Sequence, residues 1–208
     1  MGSAEDITGN GGIGTSTFIA RRQDAVEFTA EATLQFAPNL SDSAIEGEEA
    51  GMTLFIQRNQ HFDLGVVALR DSAAGQLEKF IRLRTFSANS SADGMSDAYS
   101  QPGILLIPKN VENLRLRVQA VNASTYAFSY LDSSSVIEWK TVGYGAAREV
   151  SGGFTGVSLN IPLYRLFYHI DVGSVKTLVG MFATGNGHDA TTPAFFSDFT
   201  YDPVQGVF

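Results

Sequence analysis

Residues 26–36 alternate without a break: Val26, Phe28, Ala30, Ala32, Leu34 and Phe36 are apolar, and Glu27, Thr29, Glu31, Thr33 and Gln35 are polar. A period of two describes an extended strand with one face buried and one wet, as in an antiparallel sheet. The same pattern predicts strands at 52–57, 62–69, 79–86, 114–121, 125–131, 178–183 and 194–201. Arg58-Asn59-Gln60 reads as a hairpin turn, and 87–94 and 185–192 are turn-rich links. Residues 39–49 suit either a short turn of helix or a loop. Many short strands, no internal repeat and no dividing linker predict a single sandwich or barrel.

Composition narrows the partners. Apolar residues make up 44% of the 208 and charged residues 17%, enough for a packed core. The formal net charge is -8, with Lys and Arg scattered. Phosphate contact needs clustered positive charge, so nucleic acid and anionic membranes are excluded as partners, and a neutral polysaccharide suits better. No apolar run approaches the ~18 residues that span a bilayer. The absence of cysteine excludes disulfides, thiolate metal sites and a cysteine nucleophile. The Gly-rich, polar start lacks an apolar h-region, so no signal peptide is expected in this chain. Residues 1–16 are expected to be a flexible lead-in to one domain over 17–208. Three glycosylation sequons stand beside predicted turns, at Asn39, Asn89 and Asn122.

The usual catalytic constellations are missing. His61, His169 and His188 have no partner at metal-ligand spacing, and no HExxH or GxSxG occurs. His61, on a strand, reads as a packed or surface imidazole. The glycines of 9–14 follow no strand and precede no Lys-Ser/Thr, so they are not a phosphate loop. Glu46, Glu48 and Glu49 form an acidic cluster that reads as a solvated loop edge. No spacing shows the paired carboxylates that glycoside hydrolysis needs.

Six motifs in order carry a family resemblance. They are Thr17-Phe18-Ile19-Ala20-Arg21-Arg22-Gln23, Glu48-Glu49-Ala50-Gly51-Met52, Tyr126-Ala127-Phe128-Ser129-Tyr130 followed by Trp139, Gly152-Gly153-Phe154-Thr155-Gly156, Val179-Gly180-Met181-Phe182-Ala183-Thr184-Gly185, and Ala194-Phe195-Phe196-Ser197-Asp198-Phe199. Together they resemble the C-terminal domain of glycoside hydrolase family 43 β-xylosidases. The resemblance implies an all-β, concanavalin A-like sandwich (jelly roll) of two antiparallel sheets. Some such domains are classed as carbohydrate-binding module family 91, with xylan as ligand. It also implies a secreted parent whose catalytic carboxylates lie on a separate five-bladed propeller, and a role for Phe154 in closing the propeller's pocket.

Physical chemistry supplies the rest of the expected site. Aromatic rings stack on the C–H faces of a pyranose while Arg, Gln, Asn and carboxylates bond its hydroxyls. Phe154, flanked by glycines, is the candidate for an exposed ring. Arg21 and Arg22 face opposite sides of a strand. One of them faces a ligand groove with Gln23 nearby, or both serve the surface or a buried pair. Trp139 either stacks on sugar or packs its hairpin. No cofactor is expected; Asp198, on a half-buried strand, either makes an ordinary hydrogen bond or salt bridge, the favoured reading, or joins loop carbonyls around a structural calcium. Three classes remain: a non-catalytic domain binding xylan or xylo-oligosaccharides, a structural domain completing the pocket of a family 43 propeller, and a glycosidase, which the missing propeller disfavours.

One segment departs from the family pattern. Residues 157–176 form an apparent insertion between Gly156 and Thr177, long and apolar for an exposed connection. A lid or extra strand pair is one reading. The favoured one is an intron translated in frame, since Val157-Ser158 can be encoded by a common 5′ splice sequence and Lys176 by a codon ending in AG.

Overall fold

The computed structural model describes residues 17–58, 60–73, 75–86, 103–132, 138–150 and 177–204. The described residues form β1 (Thr17–Arg22), β2 (Phe28–Gln35), β3 (Glu49–Gln57), β4 (Gln60–Arg70), β5 (Leu77–Phe86), β6 (Ile104–Leu106), β7 (Asn113–Asn122), β8 (Thr125–Asp132), β9 (Lys140–Ala146), β10 (Leu178–Thr184) and β11 (Phe195–Pro203). A 3-10 turn, Ala147–Val150, follows β9. The strands make two antiparallel sheets, ordered β1-β10-β3-β4-β5-β6 and β11-β2-β7-β8-β9. This is the expected concanavalin A-like sandwich. The lead-in 1–16 and the segment 157–176 lie outside the described residues.

Alternation decides which side of each strand turns inward. Phe28, Ala30, Ala32 and Leu34 of β2 meet Met52 and Leu54 of β3 and Phe62, Leu64 and Val66 of β4 in one core. Phe62 and Phe128 touch across the two sheets, with ring centroids 5.4 Å apart. Each buried ring of this kind contributes roughly 2–3 kcal/mol relative to exposure. A Cβ on Gly145 would stand 2.6 Å from the Phe62 ring, so glycine on β9 makes room for that ring.

Three strands escape the alternation. β1 is legible only through the family motif. β9 carries Gly143 and Gly145 where apolar side chains would mark its inner face. β6 is a three-residue edge strand, apolar on both sides. Residues 39–48 form turns and bends without helix.

One end of the sandwich gathers several chain reversals. The Ala147 N–H donates to the Ser124 carbonyl at 2.9 Å, tying the β7–β8 turn to the 3-10 turn. The Thr177 hydroxyl donates to the Val150 carbonyl. The Gln23 N–H donates to the Thr177 carbonyl at 2.8 Å. The two residues that flank 151–176 are therefore in contact with each other, beside Gln23.

Candidate functional site

The six-stranded sheet turns a second face away from the core, and its register aligns an unusual set of side chains there. Arg22 pairs with Leu178, Leu178 with Phe55, Phe55 with His61, and His61 with Phe86. His61 is held between two rings, 5.5 Å from Phe55 and 4.2 Å from Phe86 by centroids, the second nearly parallel. Phe18 leans on Phe55 at 5.4 Å. Arg22 closes the row at the edge strand, exposed.

The adjacent rows carry buried charge. Glu49, His61 and Asp63 are at most 1% exposed, although among the described residues no second sheet packs on this face. Arg82 grips Glu49 with two hydrogen bonds, Nε to Oε1 at 3.1 Å and Nη2 to Oε2 at 2.7 Å. Arg84 Nη2 lies 3.1 Å from both Glu49 Oε2 and Asp63 Oδ2. Arg84 Nη1 donates to Asn186 Oδ1 at 3.2 Å, and Asn186 Nδ2 donates to Glu49 Oε2 at 3.0 Å and to the Gly47 carbonyl at 2.7 Å. His61 Nε2 stands 3.4 Å from Asp63 Oδ2, and its Nδ1 3.3 Å from the Gln57 carbonyl. Gly65 is required here, because a Cβ would lie 2.6 Å from Glu49 Oε1. Two carboxylates thus fix two guanidinium planes on the outer face of the sheet.

The electrostatics give the site an acid limit. Burial pushes the Glu49 carboxyl up, but Arg84 and Arg82 outweigh it and hold the group below its ordinary value of 4.5. For Asp63, burial is likewise outweighed by His61 and Arg84. A carboxylate with a depressed folded pKa stabilises the fold above its unfolded pKa and loses that contribution as pH falls through the folded one. Urea unfolding is therefore expected to show stability falling below about pH 4.5, by up to about 1.4 kcal/mol per pH unit for each group. Glu49→Gln is expected to flatten that slope, and an unchanged slope would show that the acid sensitivity lies elsewhere.

The sequence-predicted residues divide. Arg22 stands on the outer face described above, exposed at the edge strand. Arg21 takes the other reading, pairing with Asp24 at 2.6 Å and lying 4.0 Å over the Tyr201 ring. Gln23 is near Arg22, but both ends of its amide are used within the domain: Nε2 donates to the Ala25 carbonyl at 2.8 Å, and Oε1 accepts from the Tyr126 hydroxyl at 3.3 Å. Phe154 lies outside the described residues, although the flanking Val150 and Thr177 meet beside Gln23.

The acidic cluster needs correction. Only Glu46 is exposed; Glu49 is locked by arginines, and Glu48 is buried, accepting from the backbone and hydroxyls of Thr191 and Thr192. Asp198 is exposed rather than half-buried. It occupies a bulge at φ 52°, where the Ser197 hydroxyl donates to it at 3.0 Å, because β11 shifts register between Ser197 and Thr200. Among the described residues no three acidic or imidazole groups are disposed to hold a metal ion. Composition and spacing missed Asp63, Arg82, Arg84 and the aromatic row. The available signal was parity: 49, 61, 63, 82, 84 and 86 all fall opposite the core positions of their strands.

Two other surfaces are less suited to a polar ligand. On the five-stranded sheet Trp139 lies 3.6 Å from the Arg117 guanidinium, which bonds Glu31 at 2.6 Å, so the indole packs against its own sheet. A cleft of about 180 Å³ between Ile19, Met181 and Phe196 offers no charged side chain.

Comparison with known proteins agrees with this architecture. Residues 8–164 match the family described as the beta xylosidase C-terminal concanavalin A-like domain. The chain is 25% identical over 200 residues to the non-reducing end alpha-L-arabinofuranosidase BoGH43B of Bacteroides ovatus, covering 96% of this chain and 30% of that protein. The solved GH43 BlXynB protein from Bacillus licheniformis superposes with a TM-score of 0.70 at 17% identity, over 98% of this chain and 32% of that one. The xylan beta-1,4-xylosidase from Bacillus halodurans C-125 gives 0.65 at 16%, over 97% and 32%. The chain therefore spans about a third of the length of these relatives.

Proposed function

Because this chain belongs to the β-xylosidase C-terminal concanavalin A-like domain family, we propose that it is a non-catalytic accessory domain that binds xylan or xylo-oligosaccharides for a secreted family 43 glycosidase. The observation that carries this reading is the outer face of the six-stranded sheet, turned away from the core. There an exposed Arg22 shares a cross-strand row with Phe55, His61 and Phe86, beside two guanidinium groups pre-set by buried carboxylates. Half-buried Phe18 and Phe55 offer apolar surface to pyranose C–H groups, and Arg22 offers several N–H donors to hydroxyls. The Arg82 and Arg84 guanidinium groups are already oriented by Glu49 and Asp63, so little ordering opposes binding beside them, while a wet contact gains little per sugar and keeps affinity modest.

A second reading is favoured by a different observation. The segment carrying Phe154 leaves at Val150 and rejoins at Thr177, in mutual contact. A catalytic propeller set against this end of the sandwich would receive Phe154 as part of its pocket, with no sugar bound by the domain alone.

Affinity electrophoresis through xylan, cellulose and a polyuronate separates the two. Retardation by xylan is expected, reduced several-fold in Arg22→Ala with the urea midpoint unchanged, since Arg22 is exposed. No retardation by xylan would leave the pocket-completing role, and retardation by the polyuronate alone would exclude a neutral-xylan site.

A further inference from the structure

The β7–β8 hairpin turns at Asn122-Ala123-Ser124, one of the three sequons, and all three residues are exposed. Its geometry is specific. The Ser124 backbone N–H donates to Asn122 Oδ1 at 2.8 Å, and the Ser124 hydroxyl donates to the same oxygen at 2.8 Å. A backbone N–H can only donate, so the amide atom facing the turn must be the oxygen. The Asn122 Nδ2 is left directed away from the turn. The hydroxyl the sequon requires is thus engaged with the asparagine it serves, and the reactive nitrogen is presented at a hairpin tip.

The other described sequon differs in this respect. Ser41 N–H donates to Asn39 Oδ1 at 3.0 Å, but the Ser41 hydroxyl is engaged with Ser43 at 3.3 Å. Asn39 also lines a shallow pocket with Ile45, Glu48 and Asp189, so a large substituent there meets neighbouring side chains. Asn89 lies outside the described residues.

We propose that Asn122 is an N-glycosylation acceptor, preferred over Asn39. The donor is an oligosaccharide linked through pyrophosphate to a lipid. Asn122 Nδ2 forms a bond to the anomeric carbon, the bond from that carbon to the phosphate oxygen breaks, the lipid pyrophosphate leaves with the electron pair, and Nδ2 loses one proton. The biological use of the site rests on the secreted parent proposed above, whereas acceptor competence does not.

The two are separable by cell-free translation of the whole chain behind a secretion leader, with microsomes present. Peptide N-glycosidase release in heavy-oxygen water marks each occupied asparagine for mass spectrometry. Asn122 is expected to be modified in most molecules, Asn39 in several-fold fewer. Asn122→Gln and Ser124→Ala are expected to abolish the Asn122 mark, and Ser124→Thr to retain it. Translocated chain that is unmodified at Asn122, or modified chiefly at Asn39, would overturn the assignment. Secretion by the source organism, tested separately by fractionating its culture, decides only whether the site is used.

Discussion

Glu49→Leu is expected to lower the unfolding free energy by about 3 kcal/mol. Glu49 is wholly buried and neutralises Arg82 through a two-pronged bond while sharing Arg84 with Asp63. Removing one member of a buried ion pair typically costs 3–5 kcal/mol, because the partner charge stays behind without compensation. The low end applies here, since Arg82 and Arg84 keep 21% and 16% of their side chains exposed and can turn partly into water. Glu49→Gln keeps an acceptor for Arg82 and is expected to cost less. For a domain of this size the leucine variant should melt roughly 6–12 °C lower. A cost under about 1 kcal/mol would show that both guanidinium groups relax freely, and that the network does not hold them in place for a ligand.

Deleting 157–176 is expected to leave a folded domain, more stable by about 1 kcal/mol and less prone to aggregate. Val150 and Thr177 already touch, so the chain between them must close on itself whatever its length. Shortening that closure from 26 residues to six is about two halvings, each worth about 0.6 kcal/mol of loop entropy. The remaining Gly152-Gly153-Phe154-Thr155-Gly156 is glycine-rich and suits a tight connection. The match to the family ends at residue 164, inside this segment, yet β10 and β11 beyond it are full members of the two sheets. Urea unfolding and circular dichroism of the shortened chain test the structural point. Transcripts from the source organism lacking these twenty codons are expected if the segment is a translated intron. A deletion that unfolds the domain would make it a structural element.

Most of the sandwich was legible because burial on one face of a strand imposes a period of two, and the expected 114–121 against the observed Asn113–Asn122 shows how closely. β9 was not legible, because the core there is filled from across the sandwich by Phe62 and Leu83, so the strand supplies glycines instead of apolar side chains. The site was harder. Outward positions of a strand are usually solvated, and Glu49, Asp63, Arg82 and Arg84 look like four ordinary surface charges until the register sets them beside one another. Consecutive residues on a strand face opposite ways, so one of Arg21 and Arg22 had to stand on this face, and the register makes it Arg22. Gln23 stands next to it, but its bond to Tyr126 joins residues distant in sequence and leaves no local signature.

β1 begins the described chain, and its partner β10 lies close to the other end, wedged between β1 and β3. β2, paired early by β7 on one side, waits on its other side for β11, the last of the described strands. During synthesis, then, both sheets wait for the late strands β10 and β11 of this domain. Until β10 is made, β1 lacks its described partner and β3 lacks its neighbour on that side. Contacts so far apart in sequence are slow to form, on a scale of roughly milliseconds to seconds. The nascent domain is therefore exposed for the whole time of its own translation, and its yield in a cell depends on what shields β2 and β3 in that interval.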